Sequence, residues 1–393
     1  MTFRLAFSSA RAAFVDGDDV YCDAGLGRLV DALVQRSPDI RIALGVVNAK
    51  RHLLDHRISI PARRIFRLPG TPRTTVHGFF LGRPMQSVMR AVEEGVDASI
   101  VQLPFTTPFA LWPPKLPRVY HVCSNLVEAA LTSRAYRGAS KVAAVGVAAM
   151  VDGLHRALLA APHVSAVTNG QELWDRYHPS AGRAVVSSTL RQQDLQSVVR
   201  KRVSGRFRVL FVGYLRPEKG LDVLSNAFRI LLQAGVDAEL DIIGAKPLVD
   251  WGLQTLFEDP FLKDRVHLRG EVGFGPELFQ AYADADVLVL PSRTEGTPRV
   301  LVEARAFGCP VIASRVGGIP SSVQDEEDGL LVSPGDADAL AVALRRIHDD
   351  VALRSRLRTC GQERVRAWTV DALAAALVDE AQDLCERVQH ERH

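Results

Sequence analysis

The stretch Phe207-Arg208-Val209-Leu210-Phe211-Val212-Gly213-Tyr214-Leu215-Arg216-Pro217-Glu218-Lys219-Gly220 sets the reading of the whole chain. A run rich in Val, Leu and Phe that ends on Gly is the pattern of a buried strand meeting a turn. Leu221, Leu224, Ala227, Phe228 and Leu231 then recur at helical spacing, so the turn joins a strand to a helix over 221–232. Downstream, Glu239–Gly244 and Arg265–Leu268 read as further strands, Pro276–Ala283 as a helix, and Asp286–Leu290 as a strand stopped by Pro291. A helix over Pro298–Phe307 and a strand over Pro310–Ser314 complete the series. Short β-branched runs alternating with helical ones are the signature of parallel α/β layers.

The first half repeats this pattern more weakly. Strands are predicted over Phe3–Ser8, Ile40–Val47, Ala98–Leu103, Arg118–Val122, Val164–Thr168 and Ala184–Ser187, and helices over Gly27–Val34, Met85–Glu94, Lys141–Leu159 and Glu172–Tyr177. Between the halves, Leu190–Arg206 is polar and basic, with Lys201, Arg202, Gly205 and Arg206. It fits an interdomain linker, or a surface helix and loop inside one domain. Two similar α/β halves suit a site in a cleft near the carboxyl ends of both sheets.

The bulk properties agree with a globular enzyme. The chain has 393 residues, which at about 150 per domain allows two or three domains. Hydrophobic residues make up 47% and charged residues 24%, which excludes a disordered or fibrous chain. No apolar run is expected to span a membrane, and Met1–Phe7 reads as a first strand and not as a signal peptide. The five cysteines, at 22, 123, 309, 360 and 385, are scattered and form no Cys-x-x-Cys, so a cytoplasmic location is expected and a disulfide framework is not. A net charge of +3 is too small to indicate nucleic-acid binding.

Three stretches carry polar residues at strand ends. The first is Pro291-Ser292-Arg293-Thr294-Glu295-Gly296-Thr297-Pro298-Arg299-Val300-Leu301-Val302-Glu303-Ala304. Thr297 is expected to cap a helix opening at Pro298, whose free N–H groups favour an anion. Glu295 and Glu303 would repel a bare phosphate, but they suit a ligand with both hydroxyls and phosphates. They equally suit a capping carboxylate and a solvated helix Glu. The second stretch is the turn from Gly213 to Gly220, where Arg216 and Lys219 are close enough to grip one diphosphate, or else form an ordinary surface turn. It is not the Gly-rich Walker loop. The third is Val316-Gly317-Gly318-Ile319-Pro320, whose paired glycines allow close backbone approach or a plain turn.

Taken together, these residues resemble the retaining glycosyltransferases of family 4, glycosyl transferases group 1, over about Arg208 to Asp338. Glu295 and Glu303 match the family's Glu-x7-Glu motif. Gly213–Gly220 matches its donor-diphosphate turn, and Gly317–Pro320 with Asp328-Gly329-Leu330-Leu331-Val332 matches its downstream signature. The resemblance implies an α/β chain of GT-B architecture, with two Rossmann-like domains facing across a cleft and a C-terminal helix crossing back to the N-terminal domain. It implies an acceptor-binding domain over 1–189 with the helix 370–393, and a linker and nucleotide-sugar domain over 190–369. Near the end of that second domain, Thr369 is the expected cap of the last helix.

The resemblance also assigns roles. Lys219 with Arg216 would neutralise the leaving diphosphate, and Gly213 would shape the turn. Glu295, Gly296, Thr297 and Pro298 would hold the donor sugar, and Glu303 the ribose. Val300 and Leu301 would line the diphosphate and ribose pocket, while Gly270 and Val272, flanking Glu271, would seat the base. Gly25 and Gly27 correspond to the N-terminal loop at the diphosphate and acceptor, and His121 to a family His that usually follows the strand ending here at Val122. Two positions depart from the family pattern: Tyr214 stands where an Arg is usual, and Cys123-Ser124 where the His is usual.

The activity implied is front-face transfer with retention, from a UDP- or GDP-type nucleotide sugar to a saccharide, lipid-linked saccharide or small-molecule acceptor. No cofactor and no metal is expected, and no nucleic-acid partner. Of two Asp-x-Asp strings, Asp284-Ala285-Asp286 frames a buried strand and Asp16-Gly17-Asp18-Asp19 reads as an acidic loop facing the acceptor. Cell-surface polysaccharide or glycosylated natural-product synthesis is the expected setting. The alternatives are a catalytically silent partner subunit, which Tyr214 and Cys123 keep open, and a nucleotide-sugar epimerase. From Arg51 to Val92 eight arginines face one acid, Asp55, with Phe79-Phe80-Leu81 nearby. That stretch suits peripheral contact with anionic lipid at the inner membrane face, or an ordinary solvated surface.

Overall fold

A computed structural model describes residues 3–48, 54–69, 82–105, 107–111, 114–132, 136–186, 188–196, 205–245 and 259–391. The expectations that rest on Arg51, Arg73, Phe79–Leu81, Ser187, Lys201 and Arg202 lie outside these residues. The chain divides into two compact units. One holds Met1–Thr189 and Val370–His393, the other Leu190–Thr369.

The first unit is built on β1 (Leu5–Asp16), β2 (Asp19–Cys22), β3 (Arg41–Val47), β4 (His56–Arg57), β5 (Ile65–Leu68), β6 (Ala98–Leu103), β7 (Arg118–Val122), β8 (Val164–Asn169) and β9 (Gly182–Val185). Seven of these run parallel in the order β5-β3-β1-β6-β7-β8-β9. Every residue of β6, β7 and β8 is buried, as expected where helices cover both faces of a parallel sheet. Its helices are α1 (Ala24–Arg36), α2 (Gly82–Glu93), α3 (Leu126–Thr132), α4 (Gly138–Leu159) and α5 (Gln171–Tyr177). Asp23 caps α1 by accepting from the N–H groups of Gly25 and Leu26.

Three readings change here. The first strand runs on to Asp16, because its far half folds back as a hairpin with β2, Asp16 pairing Asp19 across Gly17 at φ +60°. The acidic string is therefore a hairpin turn, and its carboxylates are engaged: Asp18 lies 2.6 Å from Arg63 and Asp19 2.6 Å from Arg57. These partners come from the Arg-rich stretch, so part of its charge is spent within the unit, while Arg67, Arg83 and Arg90 are exposed. Lastly, α4 is long and apolar enough to cross a membrane by length and composition, with a mean hydropathy of 1.5 over its most apolar window. Only a third of that window is buried, and the buried part includes the polar Asp152 and His155.

The second unit is a six-stranded parallel sheet of β10 (Phe207–Val212), β11 (Ala238–Ile243), β12 (Val266–Gly270), β13 (Val287–Leu290), β14 (Val311–Ser314) and β15 (Leu330–Val332), in the order β12-β11-β10-β13-β14-β15. The order reverses beside β10, which opens a crevice at the carboxyl ends of β10 and β13. The covering helices are α6 (Leu221–Gln233), α7 (Pro276–Asp284), α8 (Arg299–Ala306), α9 (Ile319–Ser322), α10 (Ala337–Asp349) and α11 (Val351–Val365). Leu221, Leu224, Ala227, Phe228 and Leu231 of α6 join the core, as their spacing predicts. Asp286 accepts the Arg208 N–H at 2.9 Å and so fixes the start of β13 against β10.

The last helix, α12 (Val370–His390), belongs to the first unit. It buries Leu373, Ala374, Leu377, Ala381 and Leu384 in the core that also holds Leu26, Leu29 and Leu33 of α1. The resemblance implied such a return; composition alone gave only a terminal helix.

Candidate active site

The crevice at the strand-order reversal holds a cavity of about 290 Å³. Its floor is the carboxyl ends of four strands: Gly213 and Tyr214 after β10, Gly244 and Ala245 after β11, Glu271 and Val272 after β12, and Glu295 beyond β13. Lys219, Pro298, Arg299 and Val300 complete the wall.

The two polar stretches singled out in the sequence meet here, although 76 residues separate them. Lys219 Nζ donates to Glu295 Oε1 at 2.6 Å, and Ser292 Oγ donates to the same oxygen at 2.7 Å. Ser292 is fully buried and Glu295 is 9% exposed, so this carboxylate is fixed from two sides at the edge of the cavity. The loops are also tied together. Arg293 donates its backbone N–H to the Glu218 carbonyl at 2.8 Å, and its guanidinium grips both oxygens of Asp222 at 2.6 and 2.8 Å. Those hydrogen bonds hold the Asp222 carboxyl below the usual carboxylate range.

Two glycines make this approach possible. Gly220 has φ +70°, and a Cβ there would lie 2.0 Å from the Pro291 carbonyl oxygen. Gly317 has φ +51°, and a Cβ there would lie 1.7 Å from the Glu295 carbonyl oxygen. Any side chain at either position would displace the loop that carries Glu295.

Other expected residues take different places. Helix α8 opens at Arg299 with Pro298 in the cap position and no side-chain cap bond, so Thr297 is not the cap. Val300 lines the cavity, whereas Leu301, one step round the helix, is fully buried in the core. Glu303 is 5% exposed and accepts from the Tyr282 hydroxyl at 3.0 Å. Burial, reinforced by that carboxylate, pushes the Tyr282 phenol well above its usual value. Gly270 closes β12 and its carbonyl accepts the Gly244 N–H at 2.8 Å, while the Gly296 carbonyl accepts the Gly318 N–H at 3.1 Å. Arg216 lies over the Tyr214 ring at 5.0 Å and 3.8 Å from Glu218, and it is not among the described residues that line the cavity.

In the first unit, Gly25 and Gly27 sit in the opening turn of α1 and not in a loop. At Gly27 a Cβ would fall 2.2 Å from the His56 ring, which is itself 2.8 Å from Asp31. His121 is 3% exposed on β7, with its ring nitrogens 3.5 and 3.6 Å from Cys123 Sγ. Gln102 joins this group, donating to Cys123 Sγ at 3.2 Å and accepting from Ser9 Oγ at 2.6 Å.

The sequence reading missed Ser292, Tyr282, Arg293 and Arg299. Ser292, Arg293 and Arg299 all lie inside the quoted stretch. The usable signal was Ser292 three residues before Glu295 on a tight turn, a spacing that lets a hydroxyl reach the carboxylate.

Residues 206–350 match the sequence profile described as Glycosyl transferases group 1. That match lies within the second unit. Among curated relatives, D-inositol 3-phosphate glycosyltransferase of Streptomyces avermitilis is 32% identical over 213 residues, 52% of this chain and 44% of that one. GDP-mannose-dependent alpha-(1-6)-phosphatidylinositol monomannoside mannosyltransferase of Mycobacterium tuberculosis is 35% identical over 188 residues, 46% of this chain and 48% of that one. The chain spans less than half the length of each. The fold likeness extends further. Sucrose-phosphate synthase from Thermosynechococcus elongatus superposes with a TM-score of 0.70 at 22% identity, covering 98% of this chain and 99% of that one. HepE of Anabaena, solved in complex with UDP, gives 0.64 at 16% identity, covering 99% and 100%. Both units thus have the Rossmann-like form of a GT-B fold.

Proposed function

We propose that this chain is a retaining glycosyltransferase that moves a sugar from a nucleotide-sugar donor to an acceptor hydroxyl. The observation that carries the reading is the Lys219–Glu295 pair, held at 2.6 Å at the edge of a crevice formed by parallel strand ends. A carboxylate beside an ammonium suits a ligand with both hydroxyls and an anionic leaving group. Glu295 accepts from sugar hydroxyls, and Lys219 turns from Glu295 to the diphosphate as negative charge builds on it. Ser292 keeps Glu295 oriented during that exchange. The departing diphosphate oxygen takes the acceptor proton on the same face of the sugar, so the protein's work is positioning and charge stabilisation.

In this reading the second unit binds the donor and the first binds the acceptor. A UDP- or GDP-linked donor is supported by the GDP-mannose dependence in the name of the mycobacterial relative and by the UDP complex of HepE. Saccharide, lipid-linked and small-molecule acceptors remain the candidates, in surface polysaccharide or natural-product synthesis. Peripheral membrane contact rests on the exposed Arg67, Arg83 and Arg90. Absence of co-sedimentation with anionic liposomes would remove that part alone.

The test is a panel of UDP- and GDP-sugars with the purified chain. Thermal shift selects the donor, because specific binding to the native state raises apparent stability. Product NMR then gives the anomeric configuration. Transfer with retention is expected; inversion, or no stabilisation by any donor, would overturn the proposal.

A further inference from the structure

A nucleoside diphosphate brings several negative charges to its site, and a pocket that binds it must supply matching cations. Sequence spacing placed Arg216 beside Lys219 for this purpose. In the structure the Arg216 guanidinium lies over the Tyr214 ring at 5.0 Å and 3.8 Å from Glu218, with its side chain 57% exposed. Turning it into the cavity would give up both the ring contact and the ion pair.

Among the described residues lining the cavity, the cations are Lys219 and Arg299 and the carboxylates are Glu271 and Glu295. Lys219 is engaged at 2.6 Å with Glu295, so that pair presents a dipole to a ligand and not a net charge. Arg299 is the other cation among the described lining residues. It is the first residue of α8, where the opening N–H groups already carry partial positive charge. A guanidinium also holds two phosphate oxygens at once, which an ammonium does not.

Building on the donor reading above, we propose that Arg299, and not Arg216, is the second cation on the donor diphosphate. Its partner chemistry is the diphosphate itself, shared by UDP and GDP, whichever base the pocket prefers.

The experiment is calorimetric titration of the full chain with UDP and with GDP, for wild type, Arg299→Ala, Arg299→Lys and Arg216→Ala. Arg299→Ala is expected to weaken binding of the preferred nucleotide at least about tenfold and to flatten its salt dependence, because a phosphate contact is lost. Arg299→Lys should recover part of the affinity, since the charge remains and the fork does not. Arg216→Ala should cost no more than about threefold, as expected for a charge outside the cavity. Equal affinity in Arg299→Ala and wild type, or a tenfold loss in Arg216→Ala, would overturn the assignment. Wild type that binds neither nucleotide would overturn the donor reading with it, whereas wild-type binding with an unaffected Arg299→Ala sinks only this inference. If Arg299→Ala does not fold, by circular dichroism, Arg299→Gln carries the same comparison.

Discussion

The two units share a strand order, two parallel strands on one side of the first and the remainder on the other, yet their strand ends differ in chemistry. In the second unit the ends of β10 to β13 open on a cavity edged by a charged pair, Lys219 and Glu295. In the first unit the matching ends of β1, β6 and β7 carry Ser9, Gln102, His121 and Cys123, which bond mostly to one another. The same topology therefore makes a place for a ligand twice. In the second unit the described side chains at that edge hold opposite charges that can be exchanged for a ligand's. Gln102 and Ser9 are 4% and 0% exposed, so their hydrogen bond satisfies buried polar groups.

The sharpest way to break this contrast is to remove one group from each side. Glu295→Ala and Lys219→Ala should lower transfer by about 10²–10³, or about 3–4 kcal/mol of transition-state stabilisation, and Glu295→Ala, which leaves the buried Ser292 hydroxyl without its acceptor, should also cost about 1–3 kcal/mol of stability. Gln102→Leu should affect stability alone. It leaves the buried Ser9 hydroxyl without its acceptor, at about 1–3 kcal/mol of stability, and should change donor hydrolysis far less. Paired measurements of turnover and urea unfolding check both. A large loss of hydrolysis in Gln102→Leu with unaltered stability would mean that the first unit's strand ends are also catalytic.

This contrast also explains what the sequence made legible. Lys219 and Glu295 stood out because each lies in a contiguous strand–turn–helix run, where period and punctuation read directly. Their meeting was not legible from spacing, since it depends on Gly220 and Gly317 letting backbones touch. Arg216 lies off the described cavity lining because proximity along a turn says nothing of side-chain direction, and Tyr214 offers it a ring face. Thr297 looked like a cap because Thr before Pro usually is one; here Pro298 took the cap position itself. In the first unit the relevant residues are single positions on β1, β6 and β7, with no run to mark them. The hairpin at Gly17 was readable as an Asp-Gly turn, but the acids drew attention as a possible site and not as partners for Arg57 and Arg63.

A smaller effect sharpens the role of Ser292. Ser292→Ala removes one of two hydrogen bonds on Glu295 Oε1 and leaves Lys219 in place. It should cost about 1–1.5 kcal/mol, read as roughly a tenfold fall in kcat with KM for the donor little altered. That split identifies a positioning residue. A rise in KM at constant kcat would instead mean that Ser292 touches the donor directly. Ser292→Thr, which keeps the hydroxyl, should recover most of the activity.

The smallest effect concerns the helix that returns to the first unit. Glu380 of α12 is 4% exposed and accepts from Ser165 Oγ at 2.7 Å and from Arg183 and Arg387 at 3.1 Å. Burial alone raises its carboxyl, but the hydrogen bonds from Ser165, Arg387 and Arg183 outweigh that and hold it below the usual range. A carboxyl depressed in the folded state binds its proton more readily when unfolded. Its stabilisation is thus complete above the unfolded value of about 4.3 and is lost as pH falls through the folded value. The protection of the α12 amides against hydrogen exchange, taken relative to their intrinsic rates, should therefore fall below about pH 4.3 and in Glu380→Gln, which should cost about 1 kcal/mol at neutral pH and have a flatter acid profile. If the amides of α12 exchange equally in both proteins down to the acid transition, this network does not secure the helix, and the apolar face against α1 holds it alone.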